Sequence, residues 1–158
     1  MIVIGLGSPF LTDDSVGPRV VRELVRQGCD GVRLVESHAG GMLLLEELAG
    51  TRRAVIVDAL VDVRREPGEV VVSGVENHSR NASCGHDCTL TQALAMGRAM
   101  GLSLPANEHI HLVAITAGDV TTFSEQLTAP VQAALVGACS AVREILAGDF
   151  QSGQREMS

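Results

Sequence analysis

The chain has 158 residues, 46% of them hydrophobic, enough for one domain to bury its own core without disulfide or metal staples. A net charge of −7, with only 12 Lys and Arg in no extended run, argues against a nucleic-acid reader, whose cations must match phosphate charge. No Trp, no Tyr and three Phe leave little on which exposed bases could stack.

Short apolar runs rich in β-formers alternate with stretches of helical period, which predicts an α/β layer fold with a mainly parallel sheet. The first strand is "IVIG" (2–5). It runs into "GLGSPFLTDDSVGPRVV" (5–21), where Val16, Val20, Leu24 and Val25 form one helical stripe and Gly28 supplies the stop. Ser15 is the expected cap of that helix. "VRLVE" (32–36) is the second strand and "GGMLLLEELAG" (40–50) the second crossover helix. "AVIVDAL" (54–60) is the third strand. The turn "RREPG" (64–68) leaves no room for a helix, so "GEVVVSG" (68–74) is expected to be antiparallel and at an edge.

A long irregular loop follows, "VENHSRNASCGHDC" (75–88). The next helix, 89–101, has Thr89 and Gln92 at capping-box spacing and Gly101 at its end. "IHLVAIT" (110–116) is the last strand, with His109 and His111 read as structural residues facing one side of the sheet. The last helix is expected over about 128–146, turning Leu135, Val142 and Leu146 inward. The domain is thus placed at 1–148, with a disordered tail at 149–158. The opening "MIVIGLG" has no basic n-region or cleavage site, and apolar stretches fall short of the roughly 18 residues a membrane span needs. A cytoplasmic, reducing location is therefore expected, with Cys29, Cys84, Cys88 and Cys139 as thiols or metal ligands.

In a parallel sheet the carboxyl ends of the crossover strands share one rim, where ligands bind. The first polar residues beyond those ends are Asp13 and Asp14, His38, Asp58 and Asp119, and the loop with His78 and His86 is long enough to join them. A lone Asp before a helix is more often a cap than a ligand. Asp58 ends a wholly apolar strand, where a carboxylate costs several kcal/mol unless paired, hydrogen-bonded or metal-bound. Two carboxylates plus an imidazole suit nickel or zinc, whereas an all-oxygen set suits magnesium. "CGHDC" (84–88) offers a rival zinc clip, but structural zinc takes four ligands, and reactive loop thiols are the other reading. The absence of a Gly-x-Ser-x-Gly elbow disfavours a serine hydrolase.

"GLGSPFLTDDSVGPRVV", "AVIVDAL", a later loop histidine before a helix and "LTAPV" (127–131) together resemble the hydrogenase maturation endopeptidases over roughly residues 2–146. These trim the C-terminal extension from the large subunit of nickel–iron hydrogenases. The resemblance implies a three-layer sandwich: a twisted, mostly parallel sheet of about five strands with helices on both faces. It also implies aspartic-type endopeptidase activity and a large-subunit precursor as partner. Asp14, Asp58 and His86 match the family's metal site, which recognises nickel already inserted in the substrate, so these three are the expected metal-contacting and catalytic residues. Asp14 is then the ligand of the acid pair and Asp13 its structural neighbour. Three departures stand out: Ser8 replaces an asparagine, Asp14 stands where many relatives have glutamate, and "ESHAGG" (36–41) puts His38 and Ala39 in place of a glycine-glycine-threonine segment. A non-catalytic nickel-binding maturation chaperone of the same fold is the alternative. Peptidyl-tRNA hydrolases share the opening turn but set a histidine-asparagine pair where Asp14 and Ser15 stand here.

Overall fold

The computed structural model describes residues 1–38, 40–77 and 89–156, with side chains through 148. Five strands form one sheet: β1 (Ile2–Leu6), β2 (Arg33–Ser37), β3 (Ala54–Leu60), β4 (Val70–Gly74) and β5 (Ile110–Thr116), in the order β2-β1-β3-β5-β4. The pairs β1–β2, β1–β3 and β3–β5 are parallel. β4 pairs antiparallel with β5 at the edge, as its short turn requires.

Helices α1 (Val16–Gln27), α2 (Met42–Leu48), α3 (Leu90–Ala99) and α4 (Ala129–Glu156) cover both faces. The assignment follows from the pleat, because successive side chains of a strand point to opposite faces. In β3, Ala54 and Ile56 join Leu44, Leu45 and Leu48 of α2 and Leu90 and Leu94 of α3. Val55 and Val57 join Val16, Val20 and Leu24 of α1 and Val131, Val142 and Leu146 of α4. A strand buried on both sides reads as a continuous apolar run, and β3 is buried throughout.

Local signals set the helix ends. Thr89 and Gln92 make the expected reciprocal capping box at the start of α3, and Gly28 ends α1 at φ 73°. Several expectations change. Ser15 precedes α1, but its hydroxyl donates to the Thr12 carbonyl (2.7 Å) instead of accepting from the helix amides. Val25 is exposed and Val21 takes the buried place, since the core-facing stripe of α1 is set by its contact with the sheet. His109 belongs to a 3-10 turn, Asn107–His109, and only His111 lies in β5. The last helix continues to Glu156, past the end expected near Leu146 and into the expected disordered tail; no proline lies beyond Pro130 to interrupt it. Ala129–Gly148 is also long and apolar enough to cross a membrane by length and composition, against the expectation that no stretch qualifies. Part of it packs in the core, where Val131, Ala138, Cys139, Val142 and Leu146 are buried.

Candidate active site

The turn after β1 is built by close approach of backbone to backbone. A Cβ at Gly17 would stand 2.3 Å from the Leu6 carbonyl oxygen and 2.5 Å from that of Val57, so only glycine lets α1 start in contact with the ends of β1 and β3. Gly7, at φ 138°, faces the Asp14 carbonyl oxygen so closely that a Cβ would lie 1.8 Å from it. The glycines hold the 3-10 turn Thr12–Ser15 against the sheet end.

The two adjacent acids then do different things. Asp13 is fully buried and accepts four hydrogen bonds. Oδ1 takes the Thr128 amide (2.7 Å), and Oδ2 takes the amides of Gly118 (2.8 Å) and Asp119 (3.0 Å) and the Thr128 hydroxyl (2.8 Å). It locks the first turn to the segment between β5 and α4. Asp14 turns the other way, into a cleft of about 80 Å³ lined by Leu6, Gly7, Ser8, Asp14, His38, Gly40 and Asp58. The Ser8 amide donates to Asp14 Oδ2 (2.7 Å). Asp58, 7% exposed, accepts from the Ala59 amide at Oδ1 (2.8 Å).

His38 lies at the cleft wall, with Nδ1 3.0 Å from the Gly7 carbonyl. A carbonyl only accepts, so this bond puts a proton on Nδ1 and leaves the Nε2 lone pair available in the neutral ring. Asp119 follows β5 but does not line the cleft. Its Oδ1 accepts from the amides of Thr121 (2.9 Å) and Thr122 (3.0 Å), and hydrogen bonding from Thr122 and Thr121 holds its carboxyl down at about 2. His86, His78, Cys84 and Cys88 lie outside the described residues. Among the described residues no three His, Cys, Asp or Glu side chains stand close enough to hold a metal ion. Cys139 is buried in α4, where burial pushes its thiol up, as expected of a core residue.

One feature carries no sequence signal. Thr12 sits at φ 37°, costly for a β-branched residue, and is held there by its hydroxyl donating to the Thr122 carbonyl (2.7 Å) and its amide donating to the Ser124 carbonyl (3.0 Å).

Fold and cleft thus define an α/β protein with two carboxylates at the carboxyl rim of a parallel sheet. A family model described as hydrogenase maturation protease matches residues 18–145, and the chain belongs to that family. Asp58 and His86 fall inside the matched span and Asp14 just before it. The hydrogenase 2 maturation protease of Escherichia coli strain K12 is 31% identical over 74 residues, 46% of this chain and 45% of that protein. That alignment spans a little under half the length of the curated relative. Among solved structures, the hydrogenase maturating endopeptidase HybD from E. coli superposes with a TM-score of 0.76 at 28% identity, covering 96% of this chain and 93% of that one. An endopeptidase from E. coli gives a TM-score of 0.74 at 25% identity over 94% of both chains.

Proposed function

We propose that this protein is an endopeptidase that removes the C-terminal extension of a nickel–iron hydrogenase large-subunit precursor after nickel insertion. The observation that carries this reading is the opening of Asp14 and Asp58, from two different strand ends, onto one cleft in a member of the hydrogenase maturation protease family.

The nickel belongs to the substrate. Two carboxylates do not complete the coordination of a divalent ion, which suits a site that touches an ion already held by precursor ligands. Asp14, Asp58 and the loop residue His86 contact it, and that contact sets the scissile peptide bond against the rim. A carboxylate oxygen of Asp14 or Asp58 that the ion leaves free takes a proton from water as the water oxygen adds to the carbonyl carbon. The C–N bond then breaks and the proton passes to the departing amine. This is aspartic-type chemistry in which nickel acts chiefly as the handle for recognition.

The test is incubation with nickel-loaded and nickel-free precursor, read by mass spectrometry. Loss of a C-terminal peptide from the nickel-loaded form alone is the expected result. Asp58→Asn should abolish that loss with an unchanged circular dichroism spectrum. A precursor whose mass stays constant would leave the chaperone alternative standing.

A further inference from the structure

Eleven large apolar side chains are exposed among the described residues, and six of them sit at the carboxyl rim of the sheet. Phe10 lies on the turn after β1, Met42 and Leu43 open α2, Val61 and Val63 follow β3, and Phe123 lies between β5 and α4. The first three of these segments supply lining residues of the cleft that holds Asp14 and Asp58, and the fourth is bridged to the first. The two phenylalanines are held in register. Leu11 and Ser124 form a parallel bridge in which the Ser124 amide donates to the Phe10 carbonyl (3.0 Å) and the Thr12 amide to the Ser124 carbonyl (3.0 Å). Phe10 and Phe123 are thus the residues one step before the bridged pair on the two segments, 54% and 83% exposed in a chain with three Phe in all. Arg19, whose Nη2 donates to the Glu125 carbonyl, and the Asp13 clamp anchor the same segments.

We propose that this apolar rim, with Phe10 and Phe123 paired on it, docks a protein that presents a cation surrounded by apolar surface. The proposal rests on the protease reading and names how its substrate is held. Charge decides the occupant. A second copy docked through this face by a two-fold axis would bring two anionic clefts together, and like charges opposed at an interface are costly. An anionic lipid surface is repelled by the same carboxylates and by the net charge of −7. A partner that carries a positive centre within an apolar surround satisfies both parts of the face. The cleft, at about 80 Å³, takes an ion or a small group and not a stretch of polypeptide, so binding strength has to come from the rim. Aromatic residues, Phe among them, and Met are enriched at the cores of protein interfaces.

The experiment measures binding separately from cleavage. Asp58→Asn, expected to leave the precursor unshortened, is titrated with the nickel-loaded hydrogenase large-subunit precursor, alone and combined with Phe10→Ala and Phe123→Ala. The expected result is a loss of affinity of about tenfold or more for the double phenylalanine change. In the otherwise wild-type chain the same change should raise KM with kcat within about twofold. Both rings are exposed, so the melting temperature should stay constant, and Val136→Ala, at an exposed site on α4, should alter neither constant. Unchanged precursor affinity would overturn the proposal, as would a shift from dimer to monomer in sedimentation or loss of binding to phosphatidylcholine–phosphatidylserine vesicles as the main effect. If the wild type binds precursor through the two rings yet never shortens it, the docking face stands and the protease reading falls. If the wild type shortens precursor and the rings are irrelevant, the reverse holds.

Discussion

At the residue scale, Asp13 and Asp14 are chemically identical neighbours given opposite duties by their surroundings. Four donors converge on the buried Asp13 carboxylate, whereas Asp14 receives one amide and faces the cleft. Hydrogen bonds to a charged group contribute about 1.5–3 kcal/mol each, and a buried donor left unmet costs more than a missing exposed one. Asp13→Asn places an amide NH₂ against donors on one side whichever way it is turned. It should therefore destabilise the fold by roughly 2–4 kcal/mol in urea denaturation. Asp14→Asn keeps an oxygen for the Ser8 amide, so its stability should stay within about 1 kcal/mol of the parent while precursor cleavage is lost. If both variants were equally unstable, the division of labour between the two acids would be wrong.

At the scale of elements, one substitution on two helices should have opposite signs. Gly148→Ala in α4 meets open space and should stabilise by up to about 1 kcal/mol through helix propensity. Gly17→Ala in α1 would gain the same propensity, but its Cβ drives into the carbonyls of Leu6 and Val57, for a net loss of roughly 3 kcal/mol. Val57 precedes Asp58, so cleavage should fall further than stability does; comparison of melting temperature with turnover checks it. These contacts also show what the sequence could announce. The runs Ala54–Leu60 and Ile110–Thr116 mark their strands to the residue because both are dominated by β-forming apolar residues packed against helices, with Asp58 the one charged position in β3 and His111 the one partly exposed position in β5. The rule that parallel strands share a carboxyl rim places Asp14, His38 and Asp58 on one side before any coordinate is known, and they line one cleft. The Asp13 clamp reaches residues 105 to 115 positions away, a pairing no local pattern encodes. The twist of Thr12 to φ 37° is imposed by hydrogen bonds from distant segments. α4 passes the expected end near Leu146 because neither Gly148 nor the polar residues after it block i to i−4 bonding.

For the whole molecule, the exposed carboxylates predict how stability follows acid and salt. The Arg26 guanidinium beside Glu23, helped by Gln27, lowers that carboxyl from its ordinary 4.5 to about 2. Thr122 and Thr121 lower Asp119 from 3.8 to about 2, and the Arg64 side chain lowers Asp62. A carboxyl depressed in the folded state binds fewer protons than in the unfolded chain, so its contribution is complete above the ordinary value and disappears as pH falls through the folded one. The urea midpoint should therefore be flat in these groups above about pH 5 and decline between about pH 4 and 2. All three groups are at the surface, so each contribution is small and open to screening. Their partners differ, which separates them. At ~1 M salt the Debye length is about 3 Å, which weakens the arginine attraction on Glu23 and Asp62. Asp119 is held by neutral amide and hydroxyl donors and should keep its low titration midpoint. Carboxyl-carbon NMR titration at low and high salt reads this directly: the Glu23 and Asp62 midpoints should climb toward ordinary values while that of Asp119 stays near 2. An Asp119 midpoint that climbs with the others would mean that the loop between β5 and α4 is held by long-range charge, and the Asp13 and Thr12 contacts would lose their place as its anchor.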